Sequence, residues 1–297
     1  MRYHQPVMAA EALEALHIQP DGVYVDATYG GGGHARLILA SLGSKGRLIA
    51  FDQDEDALAN VLDDPRLVFV PHNFRDMKKF LRLHGFKAVD GILADLGVSS
   101  HQFDEAERGF SFRSEYPLDM RMDKSGSLDA IRVLNSYPEE ELLRILSAYG
   151  EVRNARTLAR RIVEMRGHRE IKTTPDLLAV LEPLIRGQRE RYLAQVFQAL
   201  RIEVNDEMGA LEAFLGQAIE VLKPGGRLVV ISYHSIEDRL VKHFMKAGNA
   251  SGEPEHDFYG NIYRPFQLVS KKAVEPGAVE IAQNPRSRSA KLRAAVK

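Results

Sequence analysis

Tyr24–Val–Asp–Ala–Thr–Tyr–Gly–Gly–Gly–Gly–His34–Ala35 is the stretch on which the fold turns. It opens inside Val23–Ala27, a short apolar run without polar alternation, the pattern of a strand covered on both faces. Four successive glycines follow, where the backbone can approach a ligand that a Cβ would fend off. A helix over His34–Leu42 comes next. Strand, glycine loop and helix in this order open a doubly wound α/β sheet and place a nucleoside ligand at the loop. A second apolar run, Arg47–Phe51, leads into Asp52, 20 residues after Gly32. An acid there can accept hydrogen bonds from both hydroxyls of a ribose. Gly30-x-Gly32-x-x-Ala35 also fits the dinucleotide fingerprint, so the loop alone leaves NAD and S-adenosylmethionine both open. Asp26, just before the loop, leans to the second: a carboxylate there suits a cationic amino group and would repel a pyrophosphate. The plain alternative is a glycine-rich turn with no ligand.

Working outward, Leu67–Val70, Val89–Ala94 and Arg227–Ser232 read as further buried parallel strands, with helices over Asp54–Leu62 and Phe74–Leu83 between the early ones. The alternation stops near residue 100 and resumes near 205, and the middle is all-helical. Helices are expected over Glu139–Ala148, Val152–Arg166, Leu177–Ile185 and Tyr192–Val204. In the second, Ala155, Leu158, Ala159, Ile162 and Val163 form one apolar stripe. Thr174 is expected as the N-cap of the third, with Pro175 in its first turn. A further stripe, Leu211 to Leu222, ends at Lys223–Pro224–Gly225–Gly226. Ala247–Asn261 reads as a loop. The organisation is an α/β domain in two parts, 1–105 and 206–297, around an inserted helical domain, 106–205.

The 297 residues are 44% apolar and 27% charged, which excludes collagen-like, disordered and coiled-coil chains. Cysteine is absent, which excludes disulfides, thiol nucleophiles and Cys-ligated metals. No signal peptide or membrane span is expected, and the cytoplasm is the expected location. Forty Lys and Arg balance 41 Asp and Glu, so a nucleic-acid partner has to be read locally. Residues 153–172 hold seven Lys or Arg against two acids, and the segment from Asn284 to Lys297 is basic. Either can contact phosphates, and either can be a solvated face. No metal-site spacing stands out.

Other candidates lie at strand ends, where the ligand crevice of such sheets opens. Asp95 ends the fourth strand; loop or cap hydrogen bonding is its structural alternative. Ile231–Ser–Tyr–His–Ser–Ile–Glu–Asp–Arg239 places His234, Ser235 and Arg239 at another strand end. Ser235 is expected as a helix N-cap, with Asp238 as its capping-box acid.

Several linked motifs then carry a resemblance across nearly the whole chain: His4-x-Pro6-Val7, Asp26 to His34, Asp52-x-Asp54, Asp95–Leu–Gly–Val–Ser–Ser100, Arg108–Gly–Phe–Ser–Phe112, Pro117 to Asp123, Phe197 to Ile202, Gly225 to Asp238, and Asn284 to Ser289. In these the chain resembles the bacterial small-subunit rRNA (cytosine-N4)-methyltransferases, the RsmH (MraW) family. The resemblance implies a class I S-adenosylmethionine-dependent methyltransferase with an inserted helical substrate-recognition domain. It implies methylation of the exocyclic N4 of a cytidine in the ribosomal decoding region. Carried over by motif, Gly32, Gly33, His34, Asp52, Phe74, Asp95 and Gln102 hold the cofactor. Arg121, Arg239, Arg286 and Arg288 are candidate substrate contacts. Asp95, Asp119 and His234 are candidates for the group that takes the proton from N4. The expected partners are small-subunit rRNA or the 30S subunit, and a second copy of the chain as a homodimer, with no membrane. The chain departs from the family at His101 and Phe103, and at Ala194–Gln–Val196 where Thr-Arg-Thr is common. Asp95–Leu–Gly–Val stands where many amino-methyltransferases carry Asp/Asn-Pro-Pro-aromatic. The competing functions are an NAD-dependent dehydrogenase, which leaves the motifs after residue 95 unexplained, and a non-catalytic RNA-binding ribosome-assembly factor.

Overall fold

A computed structural model of the chain describes residues 6–98, 108–113, 115–256 and 258–297. Gln102, His101, Phe103 and His4 lie outside the described residues. The chain divides into two compact units: Met1–Gly97 with Met208–Lys297, and Val98–Glu207.

The first unit is built on a seven-stranded sheet in the order β3-β2-β1-β4-β5-β7-β6. Its strands are β1 (Val23–Asp26), β2 (Arg47–Phe51), β3 (Leu67–Val70), β4 (Val89–Asp95), β5 (Leu222–Ser232), β6 (Gln267–Leu268) and β7 (Lys291–Val296). β1 to β5 pair in parallel, and β7 runs antiparallel between β5 and β6. The early strands are continuous apolar runs because helices cover both faces. Ile49, Ile92 and Leu93 are fully buried, each worth roughly 1.5–3 kcal/mol. The helices are α1 (Ala9–Leu16), α2 (Gly33–Ser41) and α3 (Met77–Leu83), then α9 (Glu207–Val221), α10 (Ser235–Ala247) and α11 (Ala278–Gln283). The strand order reverses between β1 and β4. A doubly wound sheet opens its ligand crevice at such a switch point, beyond the carboxyl ends of the strands.

The second unit is helical: α4 (Ala130–Ser136), α5 (Glu139–Ala148), α6 (Ala155–His168), α7 (Thr174–Leu181) and α8 (Arg189–Asn205). Its core includes Leu134, Leu142, Ile145, Leu158, Ile162 and Leu193. The stripe expected on α6 is buried at Ala155, Leu158, Ala159 and Ile162, while Val163 is half-buried.

Several local expectations are corrected. Asp54–Leu62 is a 3-10 run, Glu55–Asn60, whose entry is fixed by the Asp54 side chain accepting from the Asp56 N–H. Thr173, not Thr174, caps α7: it forms a capping box with Asp176, and its φ of −119° is the extended cap conformation. His234, not Ser235, caps α10, with Glu237 as its box partner. Asp238, expected as the box acid, instead takes the Arg293 guanidinium from β7 at 2.6 and 3.1 Å. Lys223–Gly226 is not a stop before a new strand but a bulge within β5: Val89 pairs with Leu222 and Gly91 already with Arg227. Gly225, at φ +81°, donates its N–H to the Lys297 carbonyl at 2.8 Å, and the Gly226 carbonyl accepts the Lys297 N–H at 2.9 Å, so the bulged stretch stays tied to the residue after β7. The basic C-terminal run contributes β7, which pairs with β5 from Lys291 to Val296.

Candidate functional site

The glycine loop leaves β1 and turns into α2. Gly30 and Gly32 have φ of +52° and +73°, the left-handed region where only glycine is at ease. A Cβ on Gly32 would lie 2.7 Å from the Tyr29 hydroxyl. That hydroxyl donates to the Asn60 carbonyl at 2.8 Å and accepts from the Leu62 N–H at 3.1 Å, pinning the loop after β2 against the glycines. A Cβ on Gly31 would meet nothing within 4 Å. The loop therefore combines a supported flank with an open one.

Three carboxylates ring this loop. Asp52 accepts the Gly30 N–H at 2.7 Å and the Asp54 N–H at 2.9 Å, one at each oxygen. The Gln53 N–H adds a third bond, and of the carboxylate's four lone-pair sites one stays open to a hydroxyl. Burial pushes its pKa up to about 6, against the backbone N–H groups that pull it down. Asp26 ends β1 and is 1% exposed. Its Oδ1 accepts the Thr28 N–H at 3.1 Å, while Oδ2 is buried with no hydrogen-bond partner. Burial raises its pKa to about 6, with His34 opposing and the Asp95 and Asp52 charges adding. Asp95 ends β4: its backbone N–H donates to Thr28 Oγ1 at 2.7 Å, and its Oδ1 accepts the Tyr233 hydroxyl at 2.7 Å. Its Oδ2 lies 3.8 Å from His34 Nδ1, with the Asp95 side chain 21% exposed and His34 5%.

An unpartnered carboxylate oxygen in a buried site is costly unless a ligand completes it. Asp26 Oδ2 therefore fits a ligand ammonium, and Asp52 fits a ribose hydroxyl. These residues suit a cationic nucleoside better than a pyrophosphate, which three acids would repel.

Phe74 stands on the 3-10 turn Phe74–Asp76 after β3. Its ring packs edge-on to Phe214 of α9 with centroids 5.2 Å apart. Asn73 caps that turn through Arg75 N–H and donates to Gln53 Oε1 at 2.7 Å, tying it to the segment that carries Asp52. Gln217 of α9 grips the same turn, accepting the Lys78 N–H and donating to the Arg75 carbonyl.

At the end of β5 the structure adds a residue the sequence reasoning missed. Tyr233 fixes Asp95, and burial raises its hydroxyl's pKa, with the Asp95 charge adding, so it stays a donor. Its signal was its place, one residue past a strand end, but His234 beside it drew attention as the more reactive type. His234 instead closes a cap: its Nδ1 accepts the Glu237 N–H at 3.4 Å, and its Nε2 lies 3.1 Å from Glu237 Oε1.

The first unit thus assembles Gly32, Gly33, His34, Asp52, Phe74 and Asp95 along the carboxyl ends of β1 to β4. In the second unit, Asp119 is held by a two-pronged Arg121 guanidinium at 2.7 Å on each oxygen. Arg121 holds its pKa below the usual carboxylate value despite burial. A carboxylate so paired is a weak proton acceptor, and the same fork occupies Arg121. Arg239 of α10 is exposed, as are Arg286 and Arg288 on the 3-10 turn Pro285–Ser289 before β7.

The family model of the MraW methylase family matches residues 1–297. The ribosomal RNA small subunit methyltransferase H of Flavobacterium johnsoniae is 57% identical over 298 residues, covering 100% of this chain and 98% of the relative. That of Bacteroides thetaiotaomicron is 55% identical over 298 residues, with the same coverage. Among solved structures, a putative rRNA methylase from Clostridium thermocellum aligns with a TM-score of 0.44 at 14% identity, over 99% of this chain and 98% of that one.

Proposed function

Because the chain belongs to the MraW methylase family, we propose that it methylates the exocyclic N4 of a cytidine in the decoding region of small-subunit rRNA. It is a methyltransferase, and its cofactor is S-adenosylmethionine. The observation that carries the reading is Asp26 Oδ2, buried and unpartnered beside the glycine loop. S-adenosylmethionine, when bound, supplies a methyl group activated on a sulfonium. The rest is work for the protein. Asp26 holds the ammonium, Asp52 a ribose hydroxyl, and Phe74 the adenine side. Asp95, at the end of β4 and partly exposed, accepts the target amine's proton. Cytosine N4 is a poor nucleophile because its lone pair is delocalised into the ring, so positioning supplies much of the rate. A base in structured RNA would be extruded to reach such a site. Arginines of the second unit, with Arg239, Arg286 and Arg288, contact the RNA backbone in this reading.

Neither an NAD-dependent dehydrogenase nor a non-catalytic assembly factor is favoured by any specific feature of the site. Among the described residues no helix is long and apolar enough to cross a membrane. An rRNA substrate places the reaction in the cytoplasm. The proposal extends to the 30S particle as the form in which the RNA is presented, and to a homodimer as the working unit. Methylation of free rRNA against 30S particles, and sedimentation of the protein, test the two.

The test is thermal unfolding with S-adenosylmethionine, S-adenosylhomocysteine or NADH. At about 100 times its dissociation constant a ligand adds about 2.7 kcal/mol, a rise of several degrees. Stabilisation by the two adenosyl ligands alone is expected; stabilisation by NADH alone would overturn the reading.

A pH dependence follows from the raised carboxylates. Their folded-state pKa of about 6 lies above the ordinary value of 3.8. The folded protein therefore holds these protons more tightly. Stability is unaffected below pH 4 and falls as pH rises toward 6, by up to about 3 kcal/mol for one isolated group. Binding a cation needs the ionised form, so it runs the other way. Cofactor affinity is expected to be flat above pH 7 and to fall below pH 6 by about tenfold per unit for each carboxylate that must ionise. Calorimetric titrations from pH 5 to 8 measure it.

A further inference from the structure

The short segment that precedes α1 lies on the glycine loop. A Cβ on Gly33 would stand 3.1 Å from the Pro6 Cβ, so a side chain there would press on Pro6. The φ of Gly33 is ordinary, and the close approach of Pro6 is what calls for glycine at this position. His34, the next residue, donates from Nε2 to the Val7 carbonyl at 3.0 Å, since a carbonyl only accepts. The Met8 N–H donates to Glu280 Oε1 of α11 at 2.6 Å, across 272 positions of sequence. Val7, Met8 and His34 are all buried. Met8 holds φ +51° and ψ 39°, the left-handed region. That is a strained conformation for a residue with a Cβ, and it persists only where the surroundings impose it. Pro6–Met8 is thus gripped from two sides, by His34 on the loop and by Glu280 from the element before β7.

From this geometry we infer that Glu280 is a positioning residue of the cofactor site: through the Met8 N–H it clamps Pro6–Met8 onto Gly33 and His34, and the clamp and the bound cofactor stabilise each other. The inference rests on the glycine loop as the cofactor site and is independent of which RNA atom is methylated. Gly32 packs against the Tyr29 hydroxyl, and Gly31 faces open space. The clamp supplies the support at Gly33, where α2 begins, so the loop keeps one shape before a ligand arrives. A loop ordered beforehand costs the ligand less to bind. Without the Glu280 carboxylate the Met8 N–H would be left without its partner, and the strained turn would lose one of its two holds. The segment would then relax away from Gly33, and the cofactor would have to restore it. By linkage, the factor by which the clamp raises affinity is also the factor by which bound cofactor favours the closed clamp. Glu280 is felt in the crevice by its charge as well. Burial lowers the pKa of the His34 ring and raises that of the Tyr233 hydroxyl, and the Glu280 charge pushes both upward. The test therefore separates the clamp from the charge.

Two variants and one exchange measurement test this. Glu280→Ala leaves the Met8 N–H without an acceptor, whereas the amide oxygen of Glu280→Gln still accepts it and carries no charge. Calorimetry with S-adenosylhomocysteine is expected to show about tenfold weaker binding in Glu280→Ala and nearly wild-type binding in Glu280→Gln. In the wild-type protein, saturating S-adenosylhomocysteine is expected to slow hydrogen exchange at the Met8 amide about tenfold more than at the amides of β7. A role confined to stability would lower the unfolding temperature and leave the affinity alone. Wild-type affinity in Glu280→Ala overturns the inference. Equal weakening in the two variants also overturns it, by placing the effect in the charge of Glu280. If Glu280→Ala does not fold, the exchange measurement on the wild-type protein decides, and no extra slowing at Met8 overturns the clamp. If the wild-type protein binds no S-adenosylhomocysteine, the reading of the glycine loop fails and the clamp with it; a protein that binds it but methylates another atom leaves the clamp standing.

Discussion

Asp26→Asn is expected to raise the unfolding temperature of the ligand-free protein by several degrees and to weaken S-adenosylmethionine binding by about 100-fold. The two effects have opposite signs because one atom causes both. Asp26 Oδ2 is buried without a partner, and its carboxylate is pushed to about pH 6 by loss of water. At pH 7.5 the folded protein therefore carries a charge it holds poorly, at a cost of about 3 kcal/mol if the group is taken alone. Asn removes that charge and keeps an oxygen for the Thr28 N–H, which Asp26 accepts at 3.1 Å. The same substitution removes the anion that faces the cofactor ammonium. A charge-assisted bond in such a place is worth about 1.5–3 kcal/mol, which sets the expected loss in affinity. Unfolding scans with and without ligand, together with calorimetry, check both signs. A variant that binds as tightly as wild type would remove Asp26 from the site.

Gly32→Val is expected to destabilise the protein by about 2–4 kcal/mol and to abolish stabilisation by the cofactor. At φ +73° a side chain is strained, and a β-branched one most of all. The new Cβ would also lie 2.7 Å from the Tyr29 hydroxyl. Displacing that hydroxyl breaks its bonds to Asn60 and Leu62, which hold the loop after β2 near Asp52. Gly31→Ala is the control: its Cβ meets nothing within 4 Å and its φ is ordinary. Ligand-free stability should change by less than about 1 kcal/mol in that variant, as for an unstrained glycine replacement. Equal losses in the two variants would mean that the loop is generally fragile and that Tyr29 is not its support.

The parallel strands were legible because burial on both faces leaves unbroken apolar runs. β2 and β3 fall within the bounds read from sequence, and β1 and β4 differ by one residue at an end. The acids were legible for a related reason: a doubly wound fold places strand ends at its crevice, so Asp26, Asp52 and Asp95 were candidates by position. What escaped depends on contacts between residues distant in sequence. Tyr233 matters through Asp95, 138 positions away, and no local pattern announces that bond. His234 and Asp119 looked reactive as residue types, and only their partners, Glu237 and Arg121, show how each is engaged. The caps of α7 and α10 were displaced by one residue, because Thr173 and Thr174, or His234 and Ser235, can each accept a backbone N–H. At α7 only Thr173 has an acid three residues on, Asp176; at α10 both candidates do, and Asp238 is drawn off by Arg293, which leaves Glu237 to pair with His234.

Methyl transfer to a cytosine amine at the crevice beside Asp95 is the proposed reaction. The most direct measurement incubates the protein with tritium-labelled S-adenosylmethionine and 30S particles lacking the modification, then separates the nucleosides of the digested rRNA. The expected result is label in N4-methylcytidine alone, reduced at least 100-fold in Asp95→Asn at saturating cofactor. Label on another base or another atom of cytosine, or undiminished transfer by Asp95→Asn, would contradict it.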